Sequence, residues 1–274
     1  MLLNYNILEP ISEGTFGKVF KAQHKRTNEW VAIKFDNNEG LAAINTLKNE
    51  AKIYYYLKDN NCFPMLRGYG VYNKQNYLII NLLGESICKR VHQLTKFSPN
   101  TALLLGIQMI NILEVLHNHH LLHRDLKPSN FLFGLNKQTN KLFLIDFGLS
   151  KRYSYNDAHI PIKTNKNIIG SPNFVSINVH KNIEPSRRDD IESCLYIMLY
   201  MMSGNLEWSS TNTNTILDLK LKLTNHETQI PKWLKDLLVY VRQIQFNEKP
   251  NYNHLIQIMK TELNTNNIIG YDWD

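Results

Sequence analysis

A chain of 274 residues, 43% hydrophobic and 20% charged, has room for a large buried core. This excludes a disordered or low-complexity protein and leaves one bilobal unit or two small domains. The 31 Lys and Arg outweigh 24 Asp and Glu for a formal net charge of +7, a balance that favours acidic or phosphorylated partners, nucleic acid among them, and fits a solvated basic surface equally well.

The first ten residues, MLLNYNILEP, have no basic stretch leading into a long apolar run, so no secretory signal is expected. From 5 to 80 the pattern is strands around one helix. Short β-branched or aromatic runs at 18–22, 30–35 and 77–80 predict strands. Between them, within 41–57, Leu47, Ala51 and Tyr54 recur at helical spacing. Residues 81–84 form a short connector, and beyond it helices dominate. Ser98 is placed to cap a helix with Pro99 at its first position, and Ala102, Leu105, Met109, Ile112 and Leu116 form its apolar stripe. Residues 191–202 read as the most apolar stretch, too short to cross a bilayer and suited to a buried core helix. Cys62, Cys88 and Cys194 share no C-x-x-C spacing, which argues against a disulfide framework or a zinc site. A soluble protein of a reducing compartment is therefore expected, with a strand-rich lobe, a connector, a helix-rich lobe and a ligand cleft at the join.

The first stretch that carries chemistry is Ser12-Glu13-Gly14-Thr15-Phe16-Gly17-Lys18-Val19. Glycines let a backbone approach phosphates closely and offer N–H groups to them; a hairpin turn would read the same way in isolation. Next comes Val31-Ala32-Ile33-Lys34, a strand ending in a lysine that can hold the α- and β-phosphates of ATP if a carboxylate fixes its ammonium group. Glu50, on the helical segment that follows, is the natural partner, although taken singly the two read as a surface lysine and a surface glutamate.

His123-Arg124-Asp125-Leu126-Lys127-Pro128-Ser129-Asn130 is far more specific, because five polar types sit at fixed offsets between apolar runs. Asp125 can accept or orient a substrate hydroxyl proton, Lys127 can neutralise charge on a migrating phosphoryl group, and Asn130 can ligate magnesium. Asp146-Phe147-Gly148 follows an apolar strand at 142–145, with Asp146 as the second magnesium ligand. The order of all these elements makes chance agreement improbable. No G-x-G-x-x-G opens a helix with an acid downstream, and no G-x-x-x-x-G-K-[ST] is present, so a Rossmann site and a Walker P-loop both fail.

On these motifs the chain resembles a eukaryotic-type protein kinase, and Lys127 matches the serine/threonine class. Ser176-Ile177-Asn178 stands where kinases usually carry A-P-E, and Glu184-Pro185-Ser186-Arg187-Arg188-Asp189-Asp190-Ile191-Glu192-Ser193 follows. Those two stretches resemble the casein kinase I family, as do Leu82-Leu83-Gly84, His159-Ile160-Pro161, Asn165-Lys166-Asn167 and Tyr271-Asp272-Trp273. The resemblance implies an α+β, bilobal protein kinase fold as a single domain over 1–274, with a β-rich N-lobe at about 1–80, a hinge at 81–84 and a mostly α-helical C-lobe at 85–274. It implies ATP and Mg2+, with Ile11 in the nucleotide site, Ser12, Gly14 and Gly17 in the glycine loop at the phosphates, and a Lys34–Glu50 ion pair. Val19, Ala32 and Leu132 would sandwich the adenine, Ile80 would be the gatekeeper, and Asn81 to Leu83 would meet the base through their backbone. Asp190 would anchor the catalytic-loop backbone, and Arg124, Lys151 and Lys166 would bind a substrate anion.

The chain departs from the family at Ser12, in place of the first glycine of the loop. Asn173 stands where the family usually has an arginine for a primed substrate phosphate, Leu195 replaces a helix glycine, and Glu207 replaces a proline. Weak dependence on priming is expected from Asn173. The chain stops with Tyr271-Asp272-Trp273-Asp274, so no long autoinhibitory tail is expected. The implied protein is a monomeric kinase of acidic or phosphorylated protein segments, cytoplasmic and compatible with the nucleus, with no membrane and no specific nucleic-acid partner. A catalytically weak pseudokinase scaffold is the alternative, against which the intact Lys34, Asp125, Asn130 and Asp146 argue. A basic nucleic-acid or lipid-binding module lacks any supporting motif.

Overall fold

The computed structural model describes residues 2–14, 17–36, 41–209, 211–225, 229–266 and 270–274; Thr15 and Phe16 of the expected glycine loop lie outside these. It divides into two compact units, Met1–Glu85 with Leu132–Gly148, and Ser86–Phe131 with Leu149–Asp274. The stretch carrying the D-F-G motif therefore packs with the first unit, although it lies well beyond the connector in sequence.

The first unit is built on a five-stranded antiparallel sheet of β1 (Tyr5–Gly14), β2 (Gly17–His24), β3 (Trp30–Phe35), β4 (Leu66–Tyr72) and β5 (Gln75–Asn81), in the order β1-β2-β3-β5-β4. A single helix, α1 (Leu41–Tyr56), falls where the 3.6-residue pattern requires it. The sequence pattern singled out parts of β2, β3 and β5 but neither β1 nor β4. Both break strict alternation: β1 shifts register on either side of Pro10, and β4 shifts between Leu66 and Gly68. Gly70 in β4 is a packing requirement, because a Cβ there would lie 2.7 Å from the Tyr77 hydroxyl.

Register assigns the two faces of this sheet. Paired residues share a face and alternate along each strand. Ala22, Val31, Ile33, Tyr77 and Ile79 bury one face together with Leu2. Val19 pairs with Lys34, Ala32 with Ile80, and Lys34 with Leu78, so these residues occupy the other face. One sheet thus separates a structural core from a surface on which chemistry can be placed.

The second unit is helical. It contains α2 (Ile87–Leu94) and α3 (Pro99–Asn118), and after the catalytic loop α4 (Ile177–His180), α5 (Arg187–Ser203), α6 (Thr213–Lys222), α7 (Lys232–Gln243) and α8 (Tyr252–Asn266). Strand pairs β6–β9 (Leu121–Leu122, Lys151–Arg152) and β10–β11 (Ser154–Tyr155, Ala158–His159) flank the catalytic loop and the segment after D-F-G. A further pair joins β7 (Phe131–Phe133) to β8 (Leu142–Leu144). The α+β class expected from sequence is the class observed.

Ser98 caps α3 as expected: its hydroxyl accepts the Thr101 N–H at 3.2 Å, and Pro99 takes the first turn, where an N–H would go unused. The stripe from Ala102 to Leu116 is buried throughout. Among the described residues, α3 rather than residues 191–202 is the helix long and apolar enough to span a bilayer, at 20 residues with a window of mean hydropathy 1.3. However, 61% of that apolar window is buried within the fold, as in a core helix. Residues 191–198 of α5 are buried without a break.

The C-terminal Tyr271-Asp272-Trp273 motif closes the α3 entrance. Asp272 Oδ2 accepts the Ser98 N–H at 2.7 Å, and its own N–H donates to Thr101 Oγ1 at 3.0 Å. The Trp273 ring meets Phe97 edge-on at 5.4 Å and lies 4.3 Å beneath the Arg90 guanidinium. Trp273→Ala, which removes both ring contacts, is expected to cost about 1–3 kcal/mol. Thermal melting checks this, and an unchanged midpoint would show that the ring contacts carry no net stability.

Candidate functional site

In the first unit, Lys34 is the penultimate residue of β3, on the non-core face, and Glu50 and Tyr54 lie one turn apart on α1 beside the buried Leu47 and Ala51. The Lys34 ammonium donates to Glu50 Oε2 at 2.8 Å and to Asp146 Oδ1 at 2.9 Å. Burial disfavours the Lys34 charge, but the two carboxylates outweigh it and hold its pKa above the ordinary value. For Glu50, burial is the leading influence and raises the carboxyl pKa, helped by Asp146 and opposed by Lys34. The ammonium stays charged because two carboxylates share it.

Asp146 is fixed from behind. Its N–H donates to the Tyr54 hydroxyl at 3.1 Å, and its backbone takes a positive φ of 68°. Phe147 is fully buried, edge-on to Tyr54 at 5.0 Å and to Phe63 at 5.7 Å, and so locks the motif to α1. Gly14 pairs with Gly17 at the head of the β1–β2 hairpin, and Ser12 pairs with Val19. Gly17 is irreplaceable on steric grounds: at φ 136° a Cβ would overlap the Phe35 carbonyl.

Of the residues expected around a base, Val19, Ala32 and Ile80 share the Lys34 face. Ile11 on β1 is exposed, and Leu132 on β7 is half-buried. In the connector, the N–H groups of Asn81, Leu82 and Gly84 donate to the carbonyls of Met65, Trp30 and Phe133. The Leu83 N–H has no partner among the described residues, as required of a donor reserved for a ligand.

In the second unit the catalytic-loop residues converge on Asp125, which is 5% exposed. Lys127 Nζ donates to Asp125 Oδ2 at 2.7 Å, while the N–H and hydroxyl of Ser171 both donate to Oδ1 at 2.8 Å. Asn130 spends its amide N–H on the Asp125 carbonyl at 2.9 Å, so its Oδ1 is the atom oriented for a metal. Sequence reasoning missed Ser171; its place one residue after Gly170 is the available signal. Gly170 has φ 97°, and a Cβ there would overlap the Arg124 carbonyl.

Asp190, at the start of α5, accepts the backbone N–H groups of His123 (2.8 Å) and Arg124 (3.0 Å), the anchoring anticipated from sequence. His117, unassigned from sequence, lies 3.0 Å from Asp190 Oδ2 and 2.7 Å from the Tyr252 hydroxyl. Burial lowers the His117 pKa, and its hydrogen bond helps keep Asp190 below the usual carboxylate range. A neutral ring therefore donates to an ionised Asp190 and accepts from Tyr252.

Asp189 ties two motifs together. It accepts from Ser176 Oγ at 2.6 Å, Asn178 Nδ2 at 3.1 Å and the Ser186 N–H at 2.7 Å. Lys220, fully buried against expectation for a lysine, donates to the carbonyls of Pro172 (2.9 Å) and Val175 (2.7 Å) and so steadies the segment bearing Ser171. Beside that segment a cavity of about 520 Å³ is lined by Ser171, Asn173, Phe174, Asn212, Thr213 and Ile216, with no charged side chain among its lining residues. Arg124, Lys151 and Lys166 gather around one carboxylate, Glu184, whose pairing with them was not read from the sequence: Lys151 at 2.6 Å and Lys166 at 3.8 Å, with its charge also acting on Arg124.

Such groups suit one class of chemistry, phosphoryl transfer from a nucleotide. The chain belongs to the protein kinase family: the family model for the protein kinase domain matches residues 5–261. Members of this family are transferases that bind ATP and generally use Mg2+. Each unit offers a hard oxygen of the kind magnesium takes, the Asp146 carboxylate in the first and the Asn130 amide oxygen in the second.

Proposed function

We propose that this chain is an active serine/threonine kinase of casein kinase I type, transferring the γ-phosphoryl group of ATP to hydroxyls of acidic protein segments. The observation that carries the reading is the hydrogen-bonding around Asp125. Ser171 fixes one carboxylate oxygen and Lys127 the other, so the carboxylate is aimed to accept a hydroxyl proton. Lys127, beside it, is charged and donor-rich and neutralises the migrating phosphoryl group. Lys34 positions the α- and β-phosphates, and the Leu83 N–H meets the base. Asp146 in the first unit and Asn130 in the second are the residues that would ligate magnesium, which would supply charge neutralisation at the phosphates.

The casein kinase I assignment draws support from Asp189. The Ser176-Ile177-Asn178 stretch and the Ser186 to Asp190 stretch are physically one unit through its carboxylate, so the two diagnostic motifs stand or fall together. Three cations against one carboxylate favour acidic segments near Arg124, Lys151 and Lys166. Asn173 and an uncharged cavity beside it give no cation to a primed phosphate there. A monomer working in cytoplasm or nucleus, with no membrane or nucleic-acid partner, fits the same reading.

Peptide arrays with labelled ATP test it. Acidic peptides without a prior phosphate should be phosphorylated on serine or threonine at rates similar to primed ones. Strict dependence on an upstream phosphoresidue would contradict the substrate assignment. ATP binding without any transfer would favour a scaffold.

A further inference from the structure

Kinase activation segments are commonly ordered by phosphorylation, which adds an anion that pairs with nearby cations. In this chain a carboxylate already sits among such cations. Glu184 is 2% exposed, a burial that glutamate tolerates only when paired. Its Oε1 lies 2.6 Å from Lys151 Nζ and its Oε2 3.8 Å from Lys166 Nζ. Arg124, which also feels its charge, donates from Nε to the Leu149 carbonyl at 2.7 Å. The backbone closes the same arrangement. The Glu184 N–H donates to the Lys163 carbonyl at 2.8 Å, and the Lys166 N–H to the Asn182 carbonyl at 2.9 Å. One carboxylate therefore reaches the start of the segment after D-F-G, its middle, and electrostatically the catalytic loop.

We propose that Glu184 is a built-in anion that holds residues 149–184 and Arg124 in one arrangement without phosphorylation, as an added phosphate would. It acts as a positioning residue. By steadying Arg124 and the chain on either side of Ser171, it keeps the Asp125 carboxylate aimed. This rests on the kinase reading of the catalytic loop. It also makes an internal group, not a substrate, the first ligand of the basic cluster.

Glu184→Ala removes the anion and leaves its cations in place. Casein turnover should fall by about tenfold or more with little change in KM for ATP. Sodium sulfate should restore several-fold of the lost rate, sodium chloride at equal ionic strength should not, and wild type should respond to neither beyond the common salt effect. Glu184→Gln preserves side-chain volume and serves if the alanine variant is too unstable. Its melting temperature should rise more in sulfate than in chloride, a difference absent from wild type. Full activity without the carboxylate, a loss that sulfate leaves unrelieved, or equal sulfate effects on wild type and variant overturns the proposal. Should wild type transfer no phosphate, the kinase reading fails instead, and the melting comparison decides for Glu184 by itself.

Discussion

Asp125→Asn protein is expected to phosphorylate casein about 10²–10⁴-fold more slowly than wild type, the range for removing a general base. The loss should fall on kcat and leave KM for ATP near its original value. Asparagine keeps the side-chain shape and one acceptor for the two Ser171 bonds. It cannot take a proton, and it offers an amide group to Lys127, which needs an acceptor. The melting temperature should therefore move little. Steady-state kinetics at several ATP concentrations separate the two effects. Turnover within about 3-fold of wild type would remove Asp125 from the chemistry.

Lys34→Met should be as damaging, with a second signature. The ammonium group is the shared partner of Glu50 and Asp146, whose side chains are 3% and 19% exposed. Without it two carboxylates remain close together with their compensating charge removed. Breaking a buried pair in this way typically costs about 3–5 kcal/mol, and partial exposure of Asp146 places the expected loss at the lower end. The pH dependence follows from linkage. Burial and mutual repulsion raise the folded-state carboxyl pKa above its unfolded value, a direction Glu50 already has in the wild type. The folded variant then binds more protons than the unfolded chain above the unfolded carboxylate pKa, so its stability falls as pH rises. Melting curves at pH 5 and pH 8 should show the variant closest to wild type at pH 5. Transfer activity should be lost at both. A stability gap that is constant with pH would mean that Lys34 does not neutralise these carboxylates.

Much of the candidate chemistry in each unit was legible because its groups lie close together in sequence or on a recognisable strand. Asp125, Lys127 and Asn130 fall within six residues, and Lys34 ends a strand of recognisable pattern. Strand register carries that legibility further, since a period of two puts Val19, Ala32, Lys34 and Ile80 on one face once the pairing is known. What escaped the sequence is long-range or against type. Glu184 lies 33 residues from Lys151, and although it opens a stretch that carries the family resemblance, its pairing with the basic cluster was not read. Lys220 carried no sequence signal of its own, and it is fully buried on backbone carbonyls. Ser171 lacks the distinctive company that made the catalytic loop recognisable, and its role depends on a contact 46 residues away. β1 and β4 were missed because bulges and glycines interrupt the alternation on which strand reading depends.

Radiolabelled phosphate transfer to casein, run with magnesium on wild type, Asp125→Asn and Asp146→Asn, tests most directly whether both sets of residues serve one reaction. Wild type should label serine and threonine. Both variants should leave casein essentially unlabelled, and Asp125→Asn should still show a wild-type thermal shift with ATP. Wild-type protein that binds ATP yet labels nothing, or variants that label at the wild-type rate, would contradict the account.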